Sequence, residues 1–186
     1  RDPTWPEETQ RLKSFNGSSP KYSWHKYEKD EVGLYGLEEA LRVSSLQGIQ
    51  PDNNVRRVTL VEGEPDVWTM AQAGLAAVSF TNGVKTVPDG AVEILASSDF
   101  THVDVVYDLD AAGLEGRWKA AAALESKGMT VRVLSLPETL GDKADVSDMY
   151  AHVGADDSRF REELAALEEA PKPSSAPTLE DRDTSD

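Results

Sequence analysis

The sequence predicts an α/β fold: a small, doubly wound, mainly parallel sheet of about four strands with flanking helices. Three observations carry that expectation. From Val58 onward, short β-branched runs alternate with helical stretches, the pattern of parallel strands joined by crossover helices. The chain has 186 residues, enough for one proper core with extensions and little room for a second. No internal repeat is visible.

Taken in order, the stretch Gly36 to Ser45 spaces Leu37, Ala40 and Leu41 three and four apart and predicts a short amphipathic helix. Val58 to Glu62 reads as a buried strand. Pro65 suits a first helical turn and Asp66 favours its positive end, so Pro65 to Ala73 is expected as a helix, stopped by Gly74. Ala76 to Phe80 is a second strand, Thr81-Asn82-Gly83 a turn, and Ala91 to Ser97 a short helix. Val103 to Asp110 is the third strand. Its helix starts near Ala112, runs through the alanine-rich Trp118 to Leu124 and ends by Gly128. Thr130 to Leu136 is the fourth strand, closed by Pro137. A polar loop then runs to Asp148, and Phe160 to Ala170 forms a terminal helix.

Charge divides the chain into three parts. Residues 1–57 balance nine basic against nine acidic side chains, residues 58–160 carry seven against seventeen, and residues 161–186 three against eight. The first part reads as an aromatic-rich arm with its short helix, because six of the thirteen aromatics (Trp5, Phe15, Tyr22, Trp24, Tyr27 and Tyr35) fall in it. The second, residues 58–160, is expected as the folded α/β domain. The third is the end of the terminal helix and an acidic tail too poor in large apolar residues to order itself. A net charge of −15 argues against a free-standing grip on phosphate backbones. There is no cysteine, which excludes disulfides and thiolate chemistry and suits the cytoplasm. No apolar run approaches the roughly 18 residues of a membrane span. The first residue is Arg1 rather than Met, so the chain reads as part of a larger polypeptide. His25, His102 and His152 are scattered without metal-ligand spacing.

Carboxylates gather at the ends of three predicted strands: Glu62, Glu64 and Asp66 after the first, Asp108 and Asp110 at the third, and Asp142, Asp145 and Asp148 after the fourth. In open α/β sheets that edge binds ligands. Residues two apart on a strand face the same way, so Asp108 and Asp110 are expected to converge. Crowded carboxylates repel, by about 1 kcal/mol per pair at roughly 4 Å in water. A hard divalent cation, Mg²⁺ or Mn²⁺, relieves this by taking one or two carboxylates with waters and substrate phosphates, which suits nucleotidyl or phosphoryl chemistry.

The succession LVEGEPD, AVSFTNG, VVYDLDAAG and LPETLGDKADVSD, spanning about Val58 to Tyr150, resembles the successive motifs of a Toprim domain. Gly33-Leu34-Tyr35-Gly36-Leu37 is similar to the lead-in of phage and plasmid primases or primase-helicases. The resemblance implies Glu62 as a catalytic acid or base that also assists metal binding, Asp108 and Asp110 as the metal-binding pair, and Asp66 and Asp145 as further acidic ligands. Ser147 stands where the family often has a second aspartate, which bears on a second metal site. The resemblance implies RNA primer synthesis from nucleotide triphosphates on single-stranded DNA, with Lys85 and Lys143 expected either to meet triphosphate or to stabilise the empty acidic site. Zinc-ribbon and helicase domains are the usual neighbours, and template grip is expected largely from elsewhere, with Arg56, Arg57, Arg117 and Lys119 as local candidates. Rival expectations are a Toprim nuclease, a non-catalytic Toprim interaction module, and a haloacid-dehalogenase-like phosphatase, which would leave Glu62 unexplained. A topoisomerase needs a nucleophilic tyrosine, and strand alternation aims Tyr107 away from Asp108.

Overall fold

A computed structural model describes residues 33–47, 55–81 and 87–172. The aromatic arm up to residue 32, Lys85 and the acidic tail from residue 173 lie outside them. The elements are β1 (Leu34–Tyr35), α1 (Leu37–Gln47), β2 (Arg57–Val61), α2 (Glu64–Gln72), β3 (Ala77–Phe80), α3 (Asp89–Ala96), β4 (His102–Val106), α4 (Ala111–Glu125), β5 (Thr130–Val133), a 3₁₀ turn (Glu138–Leu140), α5 (Val146–His152) and α6 (Asp157–Ala165). They form a five-stranded sheet in the order β1-β3-β2-β4-β5. Four strands are parallel, as expected; the fifth, β1, pairs antiparallel with β3 through Leu34 opposite Phe80 and Tyr35 opposite Ser79. Two residues carry too little alternation to read as a strand. The turn out of β1 depends on Gly36, at φ +84, where a Cβ would meet Val67 Cγ1 at 2.7 Å and the Ala77 carbonyl at 3.0 Å.

The central strands β2 and β4 are buried on both faces and are rich in β-branched apolar residues, interrupted by the buried Thr59 and Asp104. Val58, Leu60, Val103, Val105 and Tyr107 point into one core with α1, α3 and α4. Val61, Ala77 and Val106 point into another with α2, α5 and α6. Chain direction and strand order therefore part company between β2 and β4. The connection leaving β2 crosses on one face, through α2, and the connection leaving β4 crosses on the other, through α4. This is a topological switch point, which leaves a crevice beyond the carboxyl ends of two neighbouring strands.

Several expected boundaries are corrected. The third predicted strand ends at Val106 rather than Asp110, because Asp110 leaves the sheet to cap α4, its side chain accepting from the Gly113 amide at 2.8 Å. The fourth stops at Val133, with Leu134 in an isolated bridge to Glu169. The terminal helix covers 157–165 instead of 160–170. Asp156 caps it early by accepting from the Ser158 and Arg159 amides, and residues 168–170 run extended along β5, where the Ser135 amide donates to the Glu168 carbonyl at 3.0 Å and the Ala170 amide to the Val133 carbonyl at 2.8 Å. That strip covers an edge that would otherwise expose unpaired backbone groups. The polar loop before Asp148 holds α5, whose start is a reciprocal cap between Asp145 and Asp148.

In the middle of β4, Asp104 accepts hydrogen bonds from Arg57 on β2 and Arg132 on β5, the latter as a fork of two 2.8 Å bonds. Its side chain is 9% exposed, while the two arginines are 37% and 40% exposed. Asp104→Ala should cost about 2 kcal/mol in urea unfolding, below the value for a fully buried pair because both guanidiniums reach water. A loss under about 0.5 kcal/mol would show that the cluster contributes little.

Candidate functional site

β2 and β4 are hydrogen-bonded in parallel, with Val61 opposite Val106. The residues that follow these strand ends, Glu62 and Asp108, therefore emerge side by side at the switch point. Between β4 and α4 the chain turns back on itself, and Gly113 makes this possible. A Cβ there would overlap the Asp108 carbonyl and lie 3.1 Å from both the Asp108 amide and Glu62 Oε2. The glycine of the AAG after the two aspartates is thus a packing requirement of the site. The loop before α5 is drawn in by the Leu109 amide, which donates to the Ala144 carbonyl at 3.0 Å and brings Asp145 to the same rim.

The electrostatics show how close these groups are. Burial, then the charges of Glu62, Asp66, Asp145 and Asp110, push the Asp108 carboxyl up to about 8. Burial and the charge of Asp110 raise Glu62, against a lowering by the Asp108 backbone amide. Burial also raises Asp66, while hydrogen bonding from Ser147 opposes it. Glu62, Asp66, Asp108, Asp110 and Asp145 thus share one electrostatic neighbourhood. The buried Tyr107 phenol is pushed up by burial and by Glu62, the reverse of what an attacking tyrosine needs.

The five are not equivalent. Asp110 and Asp145 are each committed to a helix cap. They meet the rim as charges at helix starts, so the alternation that was expected to aim Asp108 and Asp110 together does not apply. Asp66, 5% exposed, accepts from the Ser147 hydroxyl at 2.8 Å and the Ser147 amide at 3.3 Å, and Thr69 Oγ1 lies 3.0 Å from Ser147 Oγ. An aspartate in place of Ser147 would bring a second negative charge against Asp66; the hydroxyl brings a donor and ties α2 to α5. Asp142 and Asp148 are exposed, and Asp148 closes the α5 cap. Lys143 is exposed and holds a left-handed backbone at φ +66 in the turn leading to Asp145. The role of Asp145 and Asp148 as a cap was legible from their spacing of three before an apolar helix start. The Asp66–Ser147 contact, 81 residues apart in sequence, left no local signal.

Among the described residues, no three of His, Asp and Glu stand ready-made as a metal cage. The donor set nonetheless suits a hard cation. It is all oxygen, and Glu62 Oε2 is buried without a hydrogen-bond partner beside the raised Asp108 carboxyl. Such a pocket matches Mg²⁺, which uses one or two carboxylates and keeps waters or phosphate oxygens on its other positions.

A doubly wound domain with a cluster of carboxylates at its switch point is the class that fold and site define. Residues 59–150 match the Toprim-like family model, and over that span the chain is a Toprim-like domain. A DNA primase from Geobacillus stearothermophilus is 38% identical over 90 residues, which cover 48% of this chain and 15% of the primase. The chain thus spans a small part of that relative's length. The crystal structure of the Aquifex aeolicus primase, comprising zinc-binding and RNA polymerase domains, aligns with a TM-score of 0.61 at 22% identity, over 84% of this chain and 36% of that one. At that identity the likeness concerns the fold. Among the described residues no helix is long and apolar enough to cross a membrane.

Proposed function

We propose that this chain is the Toprim part of a DNA primase, carrying out cation-dependent nucleotidyl transfer in RNA primer synthesis on single-stranded DNA. One observation supports this reading above the others: Glu62 and Asp108 follow neighbouring parallel strands out at the switch point, each partly buried and repelled by neighbouring carboxylates, a repulsion that a cation would relieve. A bound Mg²⁺ or Mn²⁺ would supply charge neutralisation and alignment of triphosphate with the primer 3′-hydroxyl. Glu62 and Asp108 are its proposed holders. Asp110 and Asp145 add charge from their caps, and Asp66, held by Ser147, supports the pocket from behind. Glu62 is also the proposed acceptor of the hydroxyl proton, and burial raises its basicity for that task. Lys143, and Lys85 outside the described residues, are the proposed triphosphate contacts.

Residues 58–160 form the proposed catalytic unit, in a cytoplasmic protein. With seven basic against seventeen acidic side chains in that unit, template grip falls to other domains, of which a zinc ribbon and a helicase are the proposed neighbours. The test uses the longer protein containing this segment: labelled ribonucleotides should enter short RNA on single-stranded DNA only with Mg²⁺ or Mn²⁺, and Glu62→Gln should remove the signal. Cleavage of DNA without primer formation would replace this reading by a Toprim nuclease. Neither activity, in a protein that still binds DNA, would leave an interaction module.

A further inference from the structure

Of the four basic residues the sequence offers for nucleic-acid contact, three have carboxylate partners. Arg56 pairs with Asp99 at 2.6 Å, Arg57 with Asp104 and Lys119 with Glu115. Arg117 differs. Its residue is 9% exposed, yet among the described residues no carboxylate pairs with it, its Nε is buried without a hydrogen-bond partner, and its Nη1 donates only a long 3.3 Å bond to Ser135 Oγ. The Trp118 ring, 5.9 Å from the guanidinium carbon, gives partial compensation. A buried cation without a counter-ion is costly, and an anion is what relieves it.

The position suits an anion that shares the rim with the carboxylates. Arg117 lies in α4, the helix that starts at the Asp110 cap, about 9 Å along the axis from its first residue. Helical side chains lean toward the helix start, which carries a long arginine back toward the strand ends. Ser135 lies just past the end of β5, the strand beside β4. A guanidinium recognises phosphate oxygens through two parallel hydrogen bonds, and a serine hydroxyl supplies a third.

We propose that Arg117 and Ser135 form a phosphate subsite at the β5 side of this rim. The phosphate belongs to a nucleotide polyphosphate or to a nucleic-acid backbone, a choice of source that rests on the primase reading. The binding itself does not rest on it.

The test is calorimetric titration of the full 186-residue chain with inorganic pyrophosphate in EDTA, so that no cation takes part, followed by a short single-stranded oligonucleotide. Arg117→Met should weaken pyrophosphate at least about tenfold, Arg117→Lys less, and Ser135→Ala several-fold. Arg117 dependence seen with the oligonucleotide and not with pyrophosphate supports the subsite and assigns it to the backbone. Absence of binding by both probes at millimolar concentration overturns the proposal, as does unchanged affinity for both in a folded Arg117→Met. If Arg117→Met does not fold, unchanged affinity in Ser135→Ala overturns it. The same titration in Asp108→Asn separates the two readings, since loss of the cation site should leave pyrophosphate binding in place.

Discussion

Asp108→Asn is expected to abolish Mg²⁺ and Mn²⁺ binding and, on the proposed primase reading, to lower primer synthesis by about 10³-fold or more, the scale of losing a cation that neutralises transition-state charge. The same change should make the cation-free chain more stable at alkaline pH. The folded Asp108 carboxyl titrates at about 8, against about 3.9 in an unfolded chain. A raised carboxyl binds its proton more tightly in the folded state. Its contribution to stability is fully present below about pH 4 and is lost as pH rises through about 8. Glu62 and Asp66, raised in the same direction, add to the trend. Thermal unfolding in EDTA should therefore show a melting temperature that falls between pH 5 and pH 9. In Asp108→Asn the fall should be shallower and the value at pH 9 higher by several degrees, at about 2–4 °C per kcal/mol for a chain of this size. Divalent cation should reverse the fall in the wild type alone. Unchanged cation affinity in the variant, or a pH profile identical to the wild type, would remove Asp108 from the centre of the site.

Gly113→Ala carries the largest expected stability effect. The added Cβ would occupy the space of the Asp108 carbonyl, and backbone cannot swing aside as a flexible side chain can. Overpacking commonly costs about 1–3 kcal/mol, and a clash with main chain belongs at the top of that range or beyond. A drop in melting temperature of about 6–12 °C follows for roughly 3 kcal/mol. Whatever protein still folds should bind cation more weakly, because relief of the clash moves Asp108 or Glu62. Urea unfolding and cation titration check both parts, and a change within about 0.5 kcal/mol would mean that the loop yields without strain.

Much of the architecture was legible because its signals are local. The β-branched stretches at Val58–Val61 and Val103–Val106, the Pro65–Asp66 helix start and the positive-φ stops at Gly74 and Gly128 all sit where their chemistry places them. The errors fall where a contact distant in sequence overrides a local preference. Asp110 reads as strand until Gly113 folds back to receive its cap. Residues 168–170 read as helix until the open edge of β5 draws them into extended pairing. Leu34–Tyr35 is a strand only because β3 offers it an edge.

The candidate site divides along the same line. Periodicity, turn chemistry and motif spacing settled the α/β class, the family resemblance and the placing of acidic residues at strand ends, since each depends on neighbours a few residues away. Tertiary structure decided that β2 lies beside β4 with their helices on opposite faces, that Ser147 engages Asp66, and that Arg117 is buried without a carboxylate among the described residues. Lateral strand order follows from which apolar faces meet and from the handedness of crossovers, and a buried charge acquires its partner, or lacks one, only when remote segments close around it.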